Sequence, residues 1–424
     1  MKYSKKIASL ILVMCMIFQL SACQKVDERT KSVKELKLSE PVTITVWYKD
    51  SDYEKYLDLV AERVHAANEL VSIEPVYIES GSYVEDIYDE SIRNDNACDI
   101  YLMTSEEVEK AYLMGLMLEN DLYKDIYNAD IYGDAAITAC SYKDKMYGYP
   151  VSFNTSFLIY NADHAEEVET FEEIQTISDN YVVTEENMDI TMVFQWPPSS
   201  MFLNYALVGS YLNVGGENSE DSNDVSIEGE KVKLAMNGFS KLNSVFGMDR
   251  STVTLEDTVE LFTEDGLLYS IVDADSIPAI NQSGVNYGVC EYPKVDKDLE
   301  SKPISITTMA VVNPYTKNVD ASKAVARAIS YDYADYLENT AGVCCARGDL
   351  KLALGQENYD AIHEIYADSV VKAKYIGVGE VYLRLEILLH QVYDGTNVDE
   401  AYESFSGVMK PVTSTENNTE AETK

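Results

Sequence analysis

Apolar and polar residues alternate from Val42 to Val46 and again from Val71 to Ile78, the two-residue period of half-buried strands. Between them Tyr56, Leu57, Val60 and Val64 recur at helical spacing, which predicts a helix from Tyr53 to Ala67. A helix from Val84 to Arg93 and a strand through Ile100 and Met103 continue the series. Gly148 and Pro150 then punctuate a turn, after which the chain alternates from Val151 and becomes wholly apolar from Phe157 to Tyr160, as a buried strand does. Asn161 or Asp163 can cap a helix expected to reach Thr170. In the second half the apolar run from Met201 to Tyr211 predicts a further helix. Strands alternating with helices specify an α/β fold, and 424 residues exceed one ordinary core, so two domains are expected.

The amino end breaks this pattern. Lys2, Lys5 and Lys6 precede an apolar run from Ile7 to Phe18 that is too short to span a bilayer, followed by Leu20-Ser21-Ala22-Cys23. That is the layout of a secretory signal peptide over residues 1–22. Residues 23–41 are charged with few large apolar side chains and read as a flexible tether; residues 407–424 read as a disordered tail. The formal net charge is −40 with no basic stripe, which excludes nucleic acid as a partner and leaves nothing to hold the folded body on anionic lipid. Beyond Cys15 and Cys23 an odd number of cysteines remains, without Cys-x-x-Cys spacing, so neither a disulfide framework nor a zinc site is expected. The acidic run from Glu217 to Glu230 lacks the ligand order of a calcium loop and reads as a solvated hairpin. No cofactor or metal is expected.

In an open α/β sheet, ligands sit at the carboxyl ends of strands. That rule singles out Trp47, Tyr48, Asp50 and Asp52, although a core tryptophan and helix-capping aspartates explain them equally well. Tyr83, leading into a helix, and Thr104, ending a strand, hold comparable positions, and for Thr104 capping is again an alternative. Phe153 and Asn154 lie in the central strand. Arg347 either grips a polar ligand group with its forked guanidinium or pairs with an acid nearby. The chain has no Gly-x-Ser-x-Gly elbow, no His-Glu-x-x-His and no phosphate loop, and His65, His164, His363 and His390 are scattered over helices. A binding protein rather than an enzyme is expected, with a glycosidase-like pair among the 73 acids as the enzyme alternative.

Gly148-Tyr-Pro followed by a polar run and Leu158-Ile-Tyr-Asn161 resembles the first interlobe crossover of the extracellular solute-binding proteins of ABC importers, the maltose-binding-protein-like class. Asp99-Ile100, Tyr287-Gly-Val with Pro293, Gly342 to Arg347, and Gly395 with Glu400-Ala401 resemble further segments of that family in the same order. The resemblance implies two α/β lobes of the type II periplasmic-binding fold. It places crossovers at Pro150 to Ser156, Leu267 to Asp273 and Thr308 to Asn313, with residues 42–150 and 274–307 in lobe 1 and 151–273 and 308–406 in lobe 2.

It also implies that Trp196, in the turn Gln195-Trp-Pro-Pro, faces ligand, a core tryptophan being the alternative. Asp273 and Asp275 stand where sugar binders often carry a tryptophan, which suggests a cleft rich in acceptors or one that receives a cation. The residues before Cys23 resemble a lipobox, implying a lipid on Cys23 and a place on the outer face of a cell membrane, of Gram-positive type. The implied function is a monomeric importer component that captures a mono- or oligosaccharide by lobe closure and hands it to permease subunits. The alternatives are a polyamine, peptide or metal-chelate ligand, or a surface glycan binder without a permease.

Overall fold

The computed structural model describes residues 32–93, 97–185, 187–351, 355–407 and 409. The signal peptide, Cys23 and nearly all of the expected tail lie outside the described residues.

Eight strands position the site. β1 (Val42–Tyr48), β2 (Val71–Tyr77) and β3 (Ile100–Thr104) are parallel, with β1 between the other two. The alternation read in the sequence decides the faces: Ile44, Val46 and Tyr48 are buried on β1. β4 (Gly148–Asn161) is the long central strand, and its near-continuous apolar run reflects burial on both faces. β5 (Met192–Gln195), β6 (Leu267–Asp273), β7 (Tyr287–Cys290) and β8 (Ile304–Val312) complete the set.

The strand path is β2-β1-β3-β8-β4-β6-β5, with β7 also on β4. The first half of β4 and the end of β8 belong to one sheet, in which Thr308 to Val312 run antiparallel to β3. The second half of β4 joins another sheet, with β6 along Ser156 to Tyr160 and β7 along Leu158 to Asn161. One strand therefore serves both lobes. Within the first sheet Thr308 faces Ser152 and Met309 faces Pro150, so Val151 is an extra residue without a partner in β8. The Val151 carbonyl instead accepts from Ala346 N–H (2.9 Å), and Phe153 N–H donates to the Cys344 carbonyl (3.2 Å).

Lobe 1 buries apolar residues on both sides of its sheet, with Tyr56, Leu57 and Val60 on one face and Val84, Ile87 and Met103 on the other. Lobe 2 has its own core around Leu158, Phe194, Trp196, Phe239 and Leu385. The expected hairpin is present as Leu212–Val214 against Val225–Ile227.

Several expectations are corrected. β7 hydrogen-bonds to the lobe 2 part of β4, and the end of β8 to β3, so residues 287–303 go with lobe 2 and 308–341 with lobe 1, the reverse of the expected division. Leu267 to Asp273 stays in the lobe 2 sheet and is not a crossover; the crossings are β4, the start of β8, and the stretch Val343 to Ala346 beside β4. Periodicity reveals a strand but not its partner. Within the expected tether, Val33 is buried, and Asn68 Nδ2 donates to the carbonyls of Val33 (3.0 Å) and Leu36 (3.3 Å), so this part docks on lobe 1. The helix expected from Asn161 to Thr170 is absent; the helix is Phe171–Asn180, capped by Thr170 and Glu173.

Candidate functional site

The carboxyl ends of β1 and β3 in lobe 1 and of β5 and β6 in lobe 2 all reach the junction between the sheets, where ligands bind in folds of this kind. After β1, Asp50 accepts from Asp52 N–H (3.0 Å) and closes a 3-10 turn over Ser51–Tyr53. That turn sends Tyr53 inward, where its hydroxyl meets Ser152 Oγ on β4. After β6 the chain turns again over Ala274–Ser276.

Asn154 on β4 clasps this second turn. Its Oδ1 accepts from Ala274 N–H (3.0 Å), while its Nδ2 donates to Asp273 Oδ2 (3.2 Å) and Asp275 Oδ2 (2.5 Å). Ser276 Oγ also donates to Asp273 Oδ1 (2.8 Å). One amide on the shared strand thus fixes two acids at the end of a lobe 2 strand, beside the Asp50–Asp52 turn of lobe 1.

Burial raises the Asp273 carboxyl above the usual range, opposed by the hydrogen bonds from Ser276 and Asn154. Asp275 is pushed up to about 7, first by desolvation and then by Asp273, Asp50 and Asp52. Asp275 is nonetheless on the open side of the cleft, so near neutral pH it both donates and accepts. Asp52 is raised as well, by desolvation and by Asp50. A cleft of ≈ 850 Å³ opens here, lined by Asp52, Lys55, Asp275, Gln282, Glu338 and Asn339 among others. It offers hydroxyl-binding groups of both senses.

Of the sequence candidates, Asp50, Asp52, Asn154, Asp273 and Asp275 come together; the others do not. Trp196 is wholly buried, stacked on Phe194 at 4.9 Å with Nε1 donating to Asn204 Oδ1 (3.0 Å). Tyr48 is buried against Tyr77, and Phe153 stacks on Tyr366 at 3.8 Å. Tyr83 is buried, with its ring under the Lys49 ammonium at 5.7 Å. These corrections share one cause: large rings in a lobe with a core to fill gain most by burial. Arg347 pairs with Asp349 through Nε (2.5 Å) and Nη2 (3.2 Å) and lies over the Tyr331 ring at 3.9 Å. Trp47 lines a different pocket with Thr45, Asp99 and Tyr315. Thr104 ends β3 in register with Thr308.

Sequence reasoning missed Glu338 and Asn339, which reach the cleft from a short helix, Leu337–Ala341, far from any strand end in the sequence. It also missed Lys49–Glu107 (2.9 Å) and Lys372–Glu106, ion pairs at the ends of β1 and β3 that the strand-end rule could have found. Among the described residues, no group of three His, Cys, Asp or Glu side chains is placed to hold a metal ion.

Residues 60–331 match the family of bacterial extracellular solute-binding proteins. The galactooligosaccharide-binding protein of Bacillus subtilis is 23% identical over 345 residues, covering 77% of this chain and 76% of that protein. Among solved structures, an extracellular solute-binding protein from Staphylococcus aureus in complex with maltose aligns with a TM-score of 0.73 and 16% identity, over 88% of this chain and 98% of that one. The maltose-binding periplasmic protein of Listeria monocytogenes in complex with maltose aligns with a TM-score of 0.71 and 19% identity, over 90% and 99%. The family match covers well over half of the chain, and the two lobes around one shared strand agree with it: this protein is a bacterial extracellular solute-binding protein.

Proposed function

We propose that the protein captures a carbohydrate, a mono- or oligosaccharide, in the cleft at the junction of its lobes and delivers it to an ABC permease without altering it. The observation that carries this reading is the Asn154 clasp on Asp273 and Asp275, beside the Asp50–Asp52 turn of the other lobe. Hydroxyls of a bound sugar would be taken by carboxylates and amides contributed by both lobes. A ligand that touches both lobes binds the closed arrangement better than the open one and shifts the population toward closure. The relatives named above for galactooligosaccharide and maltose support a sugar over other solutes. We further propose that Cys23 carries the lipid that holds a monomeric protein at the outer face of the membrane.

A thermal-shift screen against mono- and oligosaccharides, polyamines and amino acids tests the reading. A ligand that binds only the folded state raises the melting temperature. The expected result is a rise with one sugar class, largely lost in Asp275→Asn and Asn154→Ala, with the sugar recovered intact. Rises with polyamines alone, or a sugar hydrolysed in the assay, would overturn it.

A further inference from the structure

The lobe 2 hairpin of Leu212–Val214 and Val225–Ile227 ends in a tightly folded tip. There the Gly215 carbonyl accepts from the N–H groups of Glu220 (2.8 Å) and Asp221 (2.9 Å), and Gly215, Gly216 and Ser219 all take positive φ. The tip meets a short hairpin of lobe 1, Ser141–Tyr142 against Lys145–Met146. Its two turn residues, Lys143 and Asp144, are left-handed (φ 49° and 62°), which leaves the Lys143 N–H outside the ladder. The Glu220 carboxylate takes that N–H with both oxygens, at 3.2 and 3.1 Å.

Lys374 lies beneath this contact and is 1% exposed. Its neighbours Ala373 and Tyr375 belong to the lobe 2 core, and its own N–H donates to the Ser219 carbonyl (2.8 Å), so its backbone is fixed to the hairpin tip. The side chain reaches lobe 1 instead. Nζ donates to the carbonyls of Thr138 (2.7 Å) and Ser141 (2.6 Å), around the end of the helix Ala129–Ala139, where the helix dipole favours a cation. Glu220 Oε2 stands 3.9 Å from Nζ. One carboxylate is therefore within reach of two partners, an N–H of lobe 1 and an ammonium of lobe 2.

A rotation that parts the lobes along this seam takes both carbonyl acceptors from Lys374 and the N–H from Glu220 at once. A buried ammonium left without partners is strongly unfavourable. Glu220 and Lys374 both travel with lobe 2, however, so each supplies what the other then needs. Glu109 of lobe 1 also holds the seam, accepting from the Tyr142 hydroxyl (2.8 Å) and from the Ile376 N–H, but Ile376 is exposed and its N–H passes to water on release. The seam thus has two satisfied arrangements, which is what a switching element requires.

We propose that Glu220 and Lys374 form a partner-exchange latch between the lobes. Engaged, Glu220 holds the Lys143 N–H and Lys374 holds the two lobe 1 carbonyls; released, Glu220 pairs with Lys374 inside lobe 2. The latch biases the arrangement of the ligand-free lobes and is independent of which solute the cleft takes.

Amide hydrogen exchange read by NMR, together with small-angle X-ray scattering, tests it on the ligand-free protein. Lys143 is exposed and its N–H has no other partner among the described residues, so protection of that amide reports the engaged latch directly. Glu220→Ala is expected to speed Lys143 exchange at least about tenfold and to change the radius of gyration. Glu220→Gln keeps an oxygen for the Lys143 N–H but brings no charge to Lys374 in the released form, so exchange there should be no faster than in the parent. Glu217→Ala removes the same charge from an exposed position of the same hairpin and should leave both readouts unchanged. A Lys143 amide that exchanges freely in the parent would overturn the proposal. So would faster exchange in Glu220→Gln, a radius of gyration unmoved by Glu220→Ala, or an equal change in Glu217→Ala.

Discussion

Trp196 and Asp275 both sit just past a strand end, yet one fills a core and the other faces the cleft. The difference is what each side chain gains where it lies. Trp196 has Phe194, Phe171 and Phe246 around it and Asn204 for its indole N–H, so it is fully satisfied inside lobe 2. Trp196→Ala should therefore destabilise the protein by about 3–5 kcal/mol in urea unfolding while leaving the affinity of the surviving folded protein close to that of the parent. Asp275 instead crowds Asp273, Asp50 and Asp52. Its folded value, about 7, exceeds its free value of 3.8, so between the two the folded state binds more protons than the unfolded one. The stability it contributes is complete below about pH 4 and is lost as pH rises through about 7. Asp275→Asn should flatten that part of the decline in a series of melting temperatures; an unchanged slope would refute the assignment. The sequence could place both residues at strand ends but not say which way either side chain turns.

At the scale of elements, periodicity marked β1, β2 and β4 but left their partners open, and it marked neither β5 nor the two-residue strand Val370–Val371 beside the start of β8. Nothing in Tyr287-Gly-Val-Cys290 says that it pairs with the second half of β4, although Gly288 carries a trace of it. A Cβ on Gly288 would come 2.2 Å from the Tyr160 ring, so with any other residue there that ring must move for β7 to lie beside it. Gly288→Ala should cost about 1–3 kcal/mol, read by urea unfolding, as overpacking does. Helix boundaries were legible where a cap exists: Thr170 and Glu173 mark the start of Phe171–Asn180 once the capping box is weighed against the earlier Asn161. The short helix that brings Glu338 and Asn339 to the cleft has no side-chain cap at its start and is marked only at its end, by Gly342 in the left-handed conformation. Its five residues are set by the packing of Leu337 and Ala341 in the lobe 1 core.

For the whole molecule, charge and thiols set the response to solvent. The chain's formal net charge of −40 favours expansion, so added salt should raise the melting temperature by screening it, most steeply at low ionic strength. Cys98, Cys140, Cys290, Cys344 and Cys345 are all buried and unpaired, and burial raises each thiol. A reductant should leave the melting temperature unchanged; a fall would reveal a disulfide. The α/β class and the two-lobe plan were readable from order and spacing along the chain, whereas the division of the later segments between lobes was not, because that depends on the direction in which each returning strand runs.

The extra residue in β4 has a mechanical consequence. Val151 hangs outside the ladder to β8, next to Pro150, which has no N–H to lend it. A shared strand that falls out of step with β8 at one residue acts as an axle with a flexure: one lobe can swing about it as elastic twist, while the Val151 carbonyl stays tied to Ala346 N–H. The work of closing is then spread over torsions of a few residues, and the motion is expected to be fast and fully reversible.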